Sequence, residues 1–492
     1  MEKSASDALQ PPGSDQRQER THFPLYYDVL LRSLEFFRGD YGALYRFSLV
    51  NKDFNRAAST LLYSRVVLSP PPSHALQINL KDAGAITSPS NLPSALLPKY
   101  KAIVVELEIS GYLSPRPPPR NTLHATISNA VSQFANLSSI KFTPNAYHGN
   151  VFVDSLNQLP ELSCLQSLDI NSSCMDEDYK VRHLIKIKGL RKLTLRSPGR
   201  AILQVLPDWL GKMQRTLMEL HLLDNCGSVT PGVLKAFLPH ACERLKAFSL
   251  GLSYSLTDTD VFVFVDQLSS LERLQLRHYY QIRPPSHRPR LRKLKEFTAV
   301  QTPEFTAAYA ASVGSWIRQI VSASPLQTLR IITEGVDEDQ EERRVCPSYE
   351  GLLNHLTKKH LWTLRHLFMK DCLVTLKQLP VVFENCISLE SIHVSVDKRA
   401  PTLLAEKIPI PSSLNSMSLE VRNTRDGEPP ITEQEVNLIM KRGDMLRHLS
   451  VNGTYWEVSG VVTDLTSFAT YYLNYRLISS FLVPQKMSVA WL

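Results

Sequence analysis

The residues able to do chemistry are scattered along this chain, and their spacing excludes most of it. His355 and His360 are the closest pair of histidines, five residues apart, with Lys358 and Lys359 between them. A cationic setting disfavours a metal ion, so the pair reads as part of a solvated helix. The seven cysteines (Cys164, Cys174, Cys226, Cys242, Cys346, Cys372, Cys386) include no C-x-x-C pair. Zinc-cluster and thioredoxin-like readings therefore fall away, and buried structural thiols are expected at Cys226 and Cys372. The phosphate-loop, H-E-x-x-H, G-x-S-x-G and G-x-G-x-x-G motifs are all missing. Nineteen glycines in 492 residues leave little for loops that cradle phosphates. The chain is not expected to be an enzyme, and no catalytic residue, metal or cofactor is assigned. What remains is recognition by charge. Lys192, Arg196, Arg273, Arg277 and Arg330 are expected to form a basic patch for an acidic or phosphorylated segment of a partner. Arginine's planar fork suits a carboxylate or phosphate with two parallel hydrogen bonds.

Those cations need elements to hold them. The stretch Leu217–Cys226 reads L-x-x-L-x-L-x-x-N-C. On a strand, residues two apart share a face, so Leu220 and Leu222 point inward while Glu219 and His221 point outward. The same six-residue pattern begins at Val104, Leu137, Leu165, Leu190, Leu217, Leu245, Leu271, Leu294, Leu326, Leu364, Leu389, Leu414 and Leu446. Chance alone supplies roughly five or six matches in a chain this rich in leucine, so spacing carries the reading. Eight of the twelve intervals between starts run from 23 to 28 residues. That is the signature of the leucine-rich repeat, in which one unit cannot bury its own leucines and needs a copy on each side. The expected fold is α/β, a leucine-rich-repeat solenoid with a curved parallel sheet and helices on its convex side. The repeats are expected over residues 101–451. Helices are expected near Val233–Leu238, after Pro231, and near Asp260–Leu268, after a Thr257-Asp258 cap.

The N-terminal texture is different. Residues 1–20 are polar and read as disordered, with no apolar signal core. Within residues 21–68, Val29, Leu30, Leu34 and Phe37 fall on one helical stripe, and Gly39 and Gly42 break it. Leu44, Phe47 and Leu49 suggest a second helix, and Phe54, Ala57, Ala58, Leu61 and Leu62 a third, followed by a short strand at Val66–Leu68. The run Asp28-Val29-Leu30-Leu31, then Leu34, Leu49-Val50-Asn51-Lys52-Asp53-Phe54-Asn55 and Leu61–Val66 together resemble an F-box, a small trihelical motif. Phe23-Pro24 lies further upstream than the Leu-Pro with which that family opens. The resemblance implies docking on a Skp-type adaptor, linked to a cullin scaffold, through Phe23, Pro24, Val29, Leu30, Leu34, Leu49, Val50 and Phe54.

Residues 69–100 are rich in Pro and Ser and read as a linker, with a half-repeat from Ala75 to Leu80. Arg283–Lys295 is strongly basic and Glu334–Arg344 acidic; both read as solvated loops. The aromatic tail, 452–492, is expected to cap the last repeat and hide its open edge. The formal charge of +8 is moderate for 492 residues and does not imply nucleic-acid binding. The basic run has no aromatics interleaved to stack bases. No apolar window is long enough to span a membrane, and a reducing compartment, cytoplasm or nucleus, is expected. The F-box resemblance implies a substrate-recognition subunit of an SCF-type ubiquitin ligase. The alternative is a repeat scaffold for protein interactions with no ligase role.

Overall fold

The computed structural model describes residues 27–70, 92–113, 122–279, 285, 287–303, 306–334, 346–422 and 429–458, and the strand at 475–478. Among the described residues its organising element is one sheet of sixteen strands whose spatial order is their chain order. They are β1 (Arg65–Leu68), β2 (Glu106–Tyr112), β3 (Ser139–Ala146), β4 (Ser167–Ile170), β5 (Lys192–Arg196), β6 (Glu219–Asn225), β7 (Ala247–Leu252), β8 (Arg273–Arg277), β9 (Glu296–Gln301), β10 (Thr328–Thr333), β11 (His366–Val374), β12 (Ser391–Asp397), β13 (Ser416–Arg422), β14 (His448–Val451), β15 (Thr454–Val458) and β16 (Tyr475–Ile478). Strands β1 to β14 run parallel; β15 and β16 turn back antiparallel.

The thirteen segments found by spacing are β2 to β14, in one register. Glu106, Ser139, Ser167, Lys192 and Glu219 are successive partners, as are Ala247, Arg273, Glu296 and Thr328 and then His366, Ser391, Ser416 and His448. The alternation explains why. Leu107, Ile140, Leu168, Leu193, Leu220 and Phe248 all face the interior at 1% exposure or less. A slip of one residue would turn every one of them to solvent. At each of twelve strand entries the carbonyl just before one strand accepts two N–H groups from the next coil. Ser138 O, for example, accepts Gln166 N at 2.8 Å and Ser167 N at 2.9 Å. The ladder thus begins before the strand does, and leaves no orphan donor at the bend.

Helices close the other layer. Pro231–Ala241 starts on Thr230, whose hydroxyl accepts from Val233 N. Asp258–Asp266 starts on a reciprocal cap between Thr257 and Asp260. Trp209, on the helix Arg200–Met213, is fully buried and donates its indole N–H to Ile187 O at 3.0 Å. Left-handed backbone occurs at Ser197 and Asn452, just past β5 and β14, and at Asp224 inside β6, where its register with β7 shifts. Asn452 bridges to the neighbouring coil, its amide oxygen accepting from Val421 N at 2.7 Å. Cys226 sits at the corresponding turn of β6, fully buried, and its thiol donates to Leu223 O.

Ahead of the solenoid lie α1 (Tyr27–Glu35), α2 (Tyr41–Ser48) and α3 (Lys52–Ser64), with their own small core of Leu30, Leu34, Leu44, Ala57, Ala58 and Leu61. Asp40 and Asn51 cap α2 and α3. Helix α3 passes without a break into β1, which pairs with β2. The solenoid core therefore begins before residue 101. Val66, Leu68, Leu92 and Ala95 belong to it at 1% exposure or less. Residues 92–100 are thus packed structure and not linker; the Pro and Ser count concealed two fully buried apolar side chains. At the other end β15 pairs with β14 and Trp456 packs against the core at 9% exposure. Residues 1–26, the Ala75–Leu80 half-repeat, most of the acidic run and most of the aromatic tail lie outside the described residues.

Candidate functional site

The concave face is built by the outward positions of the strands, about 4.8 Å apart from one strand to the next. Its charges are matched across repeats. Arg196, at the end of β5, makes two hydrogen bonds to the Asp169 carboxylate of β4, at 2.9 and 3.1 Å, and lies 3.8 Å from Asp224. Burial alone would lower the Arg196 guanidinium, but Asp169 outweighs it and the pKa is raised. Glu219 on β6 is shared. Arg273 reaches it at 2.6 Å, Lys192 at 3.8 Å and the His221 ring at 3.4 Å. Arg273 lies two strands away and crosses β7 at Ala247, whose small side chain leaves the room. Burial alone would raise the Glu219 carboxyl, but Arg273, His221 and Lys192 hold it below its ordinary range. Burial lowers His221, whose Nδ1 lies 2.7 Å from the Ser249 hydroxyl. At the N-terminal end Glu108 is held between Arg65 at 2.5 Å and Lys141 at 2.7 Å.

Four of the five cations expected to form a patch are therefore ion-paired within the face: Lys192, Arg196, Arg273 and Arg277, the last with Glu334. The structure brings Lys192 and Arg273 together on Glu219 and leaves Arg330 apart. Arg330 on β10 lies over the ring of Phe368 on β11, 4.5 Å from its centroid, with no carboxylate against it among the described residues. His366 stacks beside Phe368 at 6.3 Å. Further on, His393 of β12 lies 3.3 Å from Glu420 of β13.

The N-terminal helices divide their expected contact residues by exposure. Leu30 and Leu34 are buried in the trihelical core at 3% exposure, whereas Val29, Leu49 and Val50 are 52%, 68% and 60% exposed. Phe54 is half-buried and stacks on Phe47. Phe36, Tyr41 and Tyr45 are also exposed and went unassigned in the sequence. The i, i+4 spacing of Tyr41 and Tyr45 on one face of α2 could have signalled them. Phe23 and Pro24 lie outside the described residues.

No group of three or more metal-capable side chains forms among the described residues. His355 and His360 do not share a solvated helix face. His360 caps the end of the helix Glu350–Lys359 at 2% exposure, its ring edge-on to His355 at 5.5 Å, and neither ring nitrogen has a hydrogen-bond partner. Burial pushes its pKa down to about 4, helped by His355 and Lys359. Desolvation pushes the Cys226 thiol up to about 12 and raises Cys372, so neither is a nucleophile at neutral pH. In the basic run Leu291 and Leu294 are buried as the approach to β9, while His287 and Lys295 pair with Asp266 and Glu272. No helix among the described residues is long and apolar enough to cross a membrane.

No protein-family model and no curated protein matches this chain. Among solved structures it is similar to a chain of the yeast Rad7 and Elc1 complex, at 13% identity and a TM-score of 0.41, over 87% of this chain and 92% of that one. It is also similar to the leucine-rich-repeat-containing protein LegL7 from Legionella pneumophila, at 14% identity and a TM-score of 0.38, over 68% of this chain and 97% of that one. A chain of the mouse RP105/MD-1 complex follows, at 10% and 0.32, over 71% and 59%. Likeness at these levels assigns no function. The strand pairing and buried leucines make the chain a leucine-rich-repeat solenoid.

Proposed function

We propose that this chain is the substrate-recognition subunit of an SCF-type ubiquitin ligase, its N-terminal helices docking on a Skp-type adaptor joined to a cullin scaffold and its repeats holding a target protein. The observation that carries the reading is the apolar surface left open on the N-terminal unit, with Val29 on α1 and Leu49 and Val50 in the turn between α2 and α3 each more than half exposed. Exposed apolar patches of this kind mark interaction sites. Phe23, Pro24, Val29, Leu30, Leu34, Leu49, Val50 and Phe54 are the proposed adaptor residues. Of these, Leu30 and Leu34 act through the small core that shapes the surface. The proposed substrate face carries Lys192, Arg196, Arg273, Arg277 and Arg330. The chain itself does no chemistry; it holds a substrate lysine near a charged ubiquitin carrier and raises its effective concentration.

Capture of a Skp-type adaptor by the full chain tests this. Leu49→Asp with Val50→Asp places charge on exposed positions and spares the core, so circular dichroism should be unchanged while capture is lost. Wild-type chain that fails to hold the adaptor refutes the ligase reading and leaves the repeat scaffold.

A further inference from the structure

We infer that Arg330 and Phe368 form the seat for a single aspartate or glutamate side chain of an extended partner segment lying across β10 to β12. The inference rests on the proposal that the concave face holds the substrate. Lys192, Arg196, Arg273 and Arg277 each meet a carboxylate of this chain, so an incoming acid would have to displace an existing partner. Arg330 is different. Its guanidinium spends one face on the Phe368 ring, 4.5 Å away, and no described residue accepts a hydrogen bond from it. Stacking uses the π face and leaves the in-plane N–H fork for an acceptor. The ring also restricts the arginine before a ligand arrives, so less side-chain freedom is lost on binding.

Charge selects the occupant. One unmatched guanidinium offsets one negative charge. A phosphate brings about −1.5 to −2 at neutral pH, more than this one guanidinium matches. The cations next along the face already have carboxylates of their own: Glu390 lies 3.2 Å from Arg365 and 3.9 Å from His366, and Glu420 lies 3.3 Å from His393. A carboxylate fits the fork without that excess. Ile332, 44% exposed on β10, and the Phe368 ring give apolar contact to the residues beside the acid. The segment recognised is therefore a carboxylate flanked by apolar side chains.

The test uses the full chain and fluorescence polarisation of labelled peptides Gly-Leu-Glu-Leu-Gly, its Gln counterpart and its phosphoserine counterpart. Wild type should prefer the Glu peptide over the Gln peptide by about tenfold, the scale of a charge-assisted hydrogen bond. Arg330→Ala should abolish the preference and Phe368→Ala should weaken it. Lys235→Ala, on the convex helix Pro231–Ala241, should leave it intact. Equal affinity for the Glu and Gln peptides, or a preference that survives Arg330→Ala, overturns the seat. Tighter binding of the phosphoserine peptide overturns the carboxylate assignment. Adaptor capture measured on the same variants separates this result from the ligase reading, because Arg330 lies far along the chain from the N-terminal helices.

Discussion

Acid should destabilise this protein already between pH 7.5 and 5, and two buried histidines set the size of the effect. His278 and His360 are each 2% exposed. Burial pushes both to a pKa of about 4. His278 sits edge-on to Tyr309 and Trp316, at 5.4 and 5.2 Å. His360 faces His355 and lies in the field of Lys359. An unfolded histidine takes its proton near pH 6.5, whereas these two stay neutral in the fold until about pH 4. Stability is therefore whole above neutrality, falls as pH drops through 6.5 and levels off below 4. Linkage gives a loss of about 2 kcal/mol per histidine between pH 7.5 and 5. Asp258 opposes them. Burial raises its carboxyl to about 6 against the pull of Trp316, so its contribution is present at low pH and lost as pH rises through 6. It returns about 1 kcal/mol over the same interval, leaving a net loss of about 3 kcal/mol. Urea midpoints by tryptophan fluorescence at pH 7.5 and 5 measure this. His278→Phe combined with His360→Leu should remove the drop and leave the gain of about 1 kcal/mol toward pH 5 that Asp258 supplies. A wild type equally stable at both pH values, or a double variant that keeps the full drop, would refute the reasoning.

Asp258→Asn removes the same penalty at its source and should raise stability at pH 7.5 by up to about 3 kcal/mol, read as a shift in the urea midpoint. Leu220→Ala, at a fully buried position in the central coil, should cost about 2–5 kcal/mol by the same assay, with the two neighbouring coils losing amide protection first. Of the cysteines, exposed Cys164 should react at once with a thiol reagent in the native state, while Cys174, Cys226, Cys372 and Cys386 should wait for unfolding. Rapid labelling of Cys226 would contradict the burial that pushes its thiol up to about 12.

The register of the sheet was legible in the sequence because it depends on a local period. Leu220 and Leu222 name their own face, and repetition at steps of 23 to 28 residues aligns each pair with the next. Charge pairing was not legible to the same degree. Glu219 and Lys192 are row neighbours, so that contact could be read by stacking the outward positions. Arg273 reaches Glu219 by passing over Ala247, a contact between strands that are not adjacent, and it depends on one small side chain. Glu334 meets Arg277 from beyond the end of β10, where no period places it. A list of cations therefore overstates free charge, and only coordinates single out Arg330. His360 escaped for a related reason. Flanking lysines suggested solvent, but the residue after a helix turns inward where the chain bends toward β11.

The join between the helices and the sheet bears on how such a chain could work. Helix α3 ends at Ser64 and β1 begins at Arg65, so no spacer separates the trihelical unit from the solenoid. Arg65 is also tied to Glu108 of β2, and Tyr63 stacks on Tyr100 at 3.8 Å. On the proposed reading, an adaptor held by Val29, Leu49 and Val50 and a target held on the concave face would be fixed relative to each other. Placement raises effective concentration only while that geometry is kept, and a flexible join would spread the target lysine over a larger volume. Inserting four Gly/Ser residues between Ser64 and Arg65 separates the two ideas. Adaptor capture and peptide binding by the Arg330 seat should both survive, while ubiquitin transfer to a bound target falls about tenfold or more. Transfer that proceeds unchanged with the insertion would mean that rigidity at this join is not what positions the target.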